Sequence, residues 1–146
     1  MSEDKQYQES RDVSTSLAAR LIDAASKKAD EIGKPMVIAI VDQGGNLKEF
    51  RRMDGAPLLS VEIAKNKAYT AAAFGISTGT WFNFIKDDEP LALGIPHTPR
   101  LVVFPGGYPI QVDGSVVGGI GVSGGHYSDD SAVATAALEA CGLVAE

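Results

Sequence analysis

The chain reads as an α+β protein with an antiparallel sheet and helices laid against it. Three observations predict this. Short apolar runs follow one another through tight Gly/Asp/Asn turns, which joins them as hairpins. Helical periodicity is confined to three segments, and only one of them, residues 58–74, lies between strands. The repeated strand–helix–strand alternation of a doubly wound parallel sheet is therefore missing. The expected order is α-β-β-α-β-β-β-α, with a five-stranded antiparallel sheet and flanking helices.

Residues 1–12 are polar and predict a flexible N-terminal segment ahead of one domain, 13–146. In 13–32, Leu17, Leu21, Ala25, Ala29 and Ile32 recur at helical spacing. Ser14 or Asp12 can cap that helix, and Gly33 with Pro35 stops it. "MVIAIVD" (36–42) suits a central strand, and "QGGN" turns it into "LKEFRRM". After "DGAP" comes the alanine-rich helix 58–74. The segment 75–100, crowded with proline and aromatic residues, predicts an irregular, functional loop. "LVVFP" (101–105), "YPIQV" (108–112) and "SVVGGIGVS" (115–123) predict a meander, and a last helix spans about 128–141, its Asp129 and Asp130 suiting a helix N-terminus.

Composition narrows the function classes. The 146 residues are 45% hydrophobic and 22% charged, enough to bury a core. A net charge of -6 with scattered Lys and Arg gives no basic field, so nucleic acid is not an expected partner. The opening "MSEDKQYQES" lacks the features of an export signal, and no apolar run approaches the length of a membrane span, which predicts a cytoplasmic protein without membrane contact. The single Cys141 excludes an internal disulfide and reads as a packing residue.

The stretch "VVGGIGVSGGHYSDD" (116–130) invites a nucleotide reading, because Gly119, Gly121 and Gly124 fit G-x-G-x-x-G. The chemistry of that fingerprint needs a βαβ unit with an acidic residue on the second strand. The chain ends before both could be built. The glycines instead read as a bare strand over which another element or a ligand lies closely, with backbone amides free to donate.

Candidate site residues follow from placement. At 100° per residue, Lys67 falls about 80° from Leu59, inside the apolar stripe of the second helix with Ile63, Thr70 and Phe74. A buried ammonium must snorkel, find a carboxylate or line a cavity. Asp42 and Asp54, both beside glycine turns, are the candidate carboxylates. Arg51 and Arg52 alternate faces, so one can hold a ligand carboxylate. His97 and His126 are the only groups that ordinarily titrate near neutrality, and His126, beside the glycines, is the better acid–base or axial-ligand candidate. Neither has partners at metal-ligand spacing, so no protein-bound metal is expected. Trp81, Phe82 and Phe84 read as core aromatics or the walls of a pocket for a flat ligand.

Four ordered blocks, "AIVDQGGNLKEFRRMDGA", "AKNKAYTAAAF", "PGGYPI" and "VVGGIGVSGG", resemble the GlcG/HbpS family, a small domain described as haem-degrading that also occurs at the C-terminal end of PduO-type corrinoid adenosyltransferases. The resemblance covers about residues 13–142. It implies a five-stranded profilin- or PAS-like domain that assembles into homo-oligomers from dimer to octamer, and haem or small-molecule binding in some members. Its recurring positions fall here on Asp42, Arg52, Asp54, Lys67, Gly119, Gly121, Ser123 and Gly124, among others. Some haem-binding relatives use a histidine near the first helix, whereas residues 1–96 contain none.

Three functions are therefore expected candidates. The first is a module for haem or a similar flat ligand, with Arg52, Lys67 or Arg100 holding propionates, His126 or His97 as axial ligand, and Trp81, Phe84 and the Gly119–Gly121–Ser123–Gly124–Gly125 backbone around it. The second is a catabolic enzyme on a small carboxylated metabolite, with Lys67 or Arg52 as carboxylate binder, the glycine-strand amides stabilising developing charge and His126 or Asp54 as proton carrier. The third is a purely structural or assembly domain.

Overall fold

A computed structural model describes residues 4–146; the expected flexible segment 1–12 is described from residue 4, and as far as residue 12 it takes neither helix nor strand. The first helix, α1 (Thr15–Glu31), begins where the Ser14 side chain accepts the Leu17 amide. It buries Leu17, Leu21, Ile22, Ala25 and Ala29 along one face. Two strands, β1 (Val37–Asp42) and β2 (Leu47–Arg52), form a hairpin whose turn is fastened by Asp42, which accepts the Asn46 amide at 2.9 Å. The second helix, α2 (Ser60–Phe74), ends on Gly75 in the left-handed conformation, φ 82°.

The segment expected to be irregular is largely helical: α3 (Thr78–Ile85), α4 (Glu89–Gly94) and a 3-10 turn (Ile95–His97). Ser77 and Asp88 cap the two helices, each accepting an amide three residues on. Strands β3 (Gly107–Val112) and β4 (Ser115–Ser123) then meet through Asp113 and Gly114, both at positive φ, and α5 (Tyr127–Ala140) closes the chain. No helix among the described residues is long and apolar enough to cross a membrane.

The sheet corrects the expectation. It has four strands in the order β2-β1-β4-β3, all pairs antiparallel, and not five. The α+β class stands; the missing strand is 101–105. Its backbone is claimed by the buried Thr70 of α2, whose hydroxyl donates to the Arg100 carbonyl at 2.9 Å and accepts the Val102 amide at 3.0 Å. Pro109 leaves β3 without one donor, as befits the edge strand it is.

Helices α1 and α5 pack together on one sheet face over Ile38, Ile40, Ile120 and Val122. The other face carries α2, set on Val37, Ala39 and Val41 by Ala64 and Ala68. The large apolar residues at its two ends point away, with Leu59 just before it 76% and Phe74 60% exposed. The reason lies in β4. A Cβ on Gly121 would overlap the Ala64 carbonyl oxygen and stand 2.5 Å from the Ala68 amide nitrogen. One on Gly119 would overlap the Ala68 carbonyl oxygen. The helix lies on bare backbone, and only an alanine face comes that close.

Gly121→Ala should therefore destabilise the protein by about 3 kcal/mol or more, since the obstructing atoms are helix backbone and cannot swing aside. Gly94→Ala, with open space around it, should stay within about 0.5 kcal/mol of the parent. Urea denaturation of the two variants measures both.

Candidate functional site

Lys67 of α2 is fully buried, 0% exposed, and reaches past the end of β4 toward the start of α5 on the other face. Its ammonium donates to Asp130 Oδ2 at 2.9 Å and to the Val122 carbonyl at 2.9 Å, and it lies 4.8 Å from the centre of the Phe104 ring. Asp130 in turn accepts the Gly125 amide through Oδ1 at 3.1 Å. Desolvation lowers the Lys67 pKa and raises that of Asp130, while each charge pulls the other back toward the ionised form. Gly106, at φ 129°, admits the lysine: a Cβ there would meet Nζ at 2.5 Å. The carboxylate partner is thus neither Asp42, which is used in its turn, nor the exposed Asp54.

Outside this pair runs a cleft of about 360 Å³ between Phe82, Asn83, Phe104, Pro105 and Tyr127. Phe104, 42% exposed, is both a cleft wall and the cover of the Lys67 ammonium. His126 caps α5 beside it, with Nδ1 2.8 Å from Ser128 Oγ and 3.2 Å from the Ser128 amide, and its ring 4.0 Å from that of Tyr127.

The structure brings Lys67 to the end of β4 and, through Asp130, to the start of α5, where the exposed His126 ring stacks on Tyr127, and sets the other candidates elsewhere. Gly119 and Gly121 are covered by α2, Ser123 is buried, and Gly124 and Gly125 pack on Met36. Trp81 is buried against Phe74, with Phe84 at its edge, and Phe84 itself is exposed. Arg100 takes the left-handed conformation, φ 67°, and stacks 3.6 Å above Tyr69 near the β1–β2 turn, while His97 is exposed on the 3-10 turn. Arg52 and Asp54 share an open groove with Lys34 and Arg51, beyond the Lys34–Asp129 ion pair. Phe104, Tyr127 and Asp130 carry no periodic or motif signal that would single them out as site residues.

A family model described as "Haem degrading protein HbpS-like" matches residues 13–139. The chain belongs to the HbpS-like family. Among its relatives, the 15.0 kDa protein encoded in the dhaT-dhaS intergenic region of Citrobacter freundii is 36% identical over 87% of this chain and 90% of its own. The crystal structure of Klebsiella pneumoniae ORFY superposes with a TM-score of 0.89 at 30% identity, covering 98% of this chain and 99% of that one. The crystal structure of a PduOC:heme complex gives 0.78 at 31% identity, covering 88% and 94%.

Lys67→Met or Asp130→Asn alone should each cost about 3–5 kcal/mol, because each strands a buried charge. The double variant should recover much of that, since the amide replacing the Asp130 carboxylate keeps an acceptor for Gly125 and no charge remains. Both pKa displacements favour the neutral groups in the fold. Relative to the double variant, wild-type stability should fall as pH rises from the ordinary carboxylate range through the raised Asp130 value. It should recover as pH passes from the lowered Lys67 value to the ordinary lysine range. Urea melts at acid, neutral and alkaline pH test the sign.

Proposed function

We propose that this HbpS-like chain binds haem or a closely similar flat tetrapyrrole, seated on the aromatic cleft with His126 as the axial donor. The observation that carries the reading is the haem complex of a 31% identical domain of the same fold. The cleft supports it from this side: Phe82, Phe104 and Tyr127 offer apolar ring faces, and the His126 ring stacks on Tyr127. A cleft of about 360 Å³ takes one face or edge of a tetrapyrrole and leaves the remainder in water.

Nδ1 of His126 accepts the Ser128 amide at 3.2 Å as the cap of α5, which keeps the neutral ring's proton on Nε2. Ligation through Nε2 gives up that cap bond and moves the proton to Nδ1, where Ser128 Oγ at 2.8 Å is placed to accept it. Bound haem supplies an iron centre; the chain's part is to present one imidazole and to stack against the macrocycle. No arginine lines the cleft, and Lys67 is neutralised by Asp130, so the propionates face solvent. The reading is one of binding, by a cytoplasmic homo-oligomer whose exposed Leu58, Leu59 and Phe74 are the surface available to a second copy.

Titration with hemin should sharpen the Soret band and quench the fluorescence of the single tryptophan, Trp81, whose neighbour Phe82 lines the cleft. His126→Ala should abolish the Soret change and His97→Ala should leave it intact. A featureless spectrum with the wild-type chain, or a Soret change indifferent to His126, overturns the assignment.

A further inference from the structure

We propose that Lys67 is a carbonyl-capturing amine, which forms an imine with an aldehyde or unhindered ketone entering the cleft behind Phe104. The placement of the groups carries this. Of the three directions open to the ammonium protons, two are taken by Asp130 and the Val122 carbonyl. On the remaining side the Phe104 ring lies 4.8 Å away, and that same ring lines the cleft and is half in solvent. Phe104 belongs to a segment that joins no ladder, so its ring can turn aside without breaking the sheet. The ring face stabilises the ammonium by cation–π attraction, and standing at the cleft it also keeps the nitrogen dry, as a nucleophile needs.

The neighbouring carboxylate completes the chemistry. Asp130, at 2.9 Å, takes one proton from the ammonium and leaves the amine. Rotation about the Cε–Nζ bond turns the nitrogen lone pair toward the cleft. The amine adds to the carbonyl carbon, forming the C–N bond while one N–H proton passes to the oxygen, which gives a carbinolamine. Asp130 then protonates that hydroxyl, water leaves, and the protonated C=N bond remains beside the restored carboxylate. One carbonyl compound is consumed and one water released, with no oxidant or reductant. Burial, which favours neutral amine and neutral acid over the ion pair, eases the first proton transfer. The walls of Phe82, Phe104, Pro105 and Tyr127 select a planar or aromatic body on the carbonyl compound, and Asn83 is the polar group among them.

The inference does not depend on haem binding and is read by a different signal. Native protein is incubated with benzaldehyde and sodium cyanoborohydride, which reduces any imine to a stable secondary amine, and the labelled lysines are mapped by peptide mass. Lys67 should be labelled about tenfold faster than Lys34 or Lys65, as expected of a desolvated amine with a general acid beside it. In urea that preference should vanish. Phe104→Ala should speed the labelling of Lys67, and Asp130→Asn should slow it while leaving the exposed lysines unchanged. If wild-type protein is labelled on its exposed lysines with Lys67 untouched, the proposal is wrong, whatever the variants do.

Discussion

Everything on the α2 side of the sheet depends on how closely a helix can approach a strand that has no side chains. Gly119 and Gly121 let the backbone of α2 settle at the level where Cβ atoms would otherwise stand. The alanine face answers from above, and Gly107 repeats the arrangement beneath the Lys67 carbonyl. This approach sets the depth at which Lys67 leaves the helix. One layer further out, its ammonium would miss the Val122 carbonyl and face water. At the observed depth it is sealed, and sealing calls for a partner, because an unpaired buried charge costs about 3–5 kcal/mol, a large share of a domain's margin of stability. Asp130, in the first turn of α5, meets that demand and ties the helix on one face of the sheet to the helix on the other.

The parts of the fold legible in the sequence were those with a local cause. The helix stop at Gly33, the turn at Asp113–Gly114 and the hairpin at 43–46 each follow from residues that leave the backbone few alternatives. The expected fifth strand failed because its cause was not local. "LVVFP" has strand composition, but the Thr70 hydroxyl, about 30 residues earlier, takes the amide and carbonyl that a ladder would have used. In 75–100, prolines and glycines masked two short helices, although Ser77 and Asp88 stood at their caps. A short helix presents too few turns for periodicity to show, and caps are the remaining signal.

The site was half legible for the same reason. A helical wheel singles out Lys67, since a lysine among apolar neighbours is conspicuous. It also misplaces the stripe, because Leu59 and Phe74 outweigh alanine on any hydrophobic scale while the sheet admits only alanine. Asp130 was hidden by a sufficient explanation: an acidic residue in the first turn of a helix needs no other. Its contact with Lys67 spans 63 residues, and nothing in either neighbourhood points to the other. The aromatic cleft is assembled from α3, the 101–106 segment and the start of α5, three pieces that only the tertiary fold brings together.

Charge decides what such a cleft can accept. The molecule is acidic overall, and the one cation under the cleft is matched by its own carboxylate. A small anion therefore meets no attractive field there, and recognition by charge, the role expected of Lys67 as a carboxylate binder, has little to work with. What the cleft does present is ring faces and one amide side chain, with an imidazole stacked on Tyr127 and, against the Phe104 ring, an amine paired with an acid. Those groups recognise flat apolar bodies and act on metals or carbonyl carbons rather than on carboxylates. The sealed pair also explains why structure and chemistry need not compete at this point. With Phe104 closed, Lys67 and Asp130 are a structural tie. With it turned aside, as proposed, the same two atoms at 2.9 Å would serve as a nucleophile and its acid.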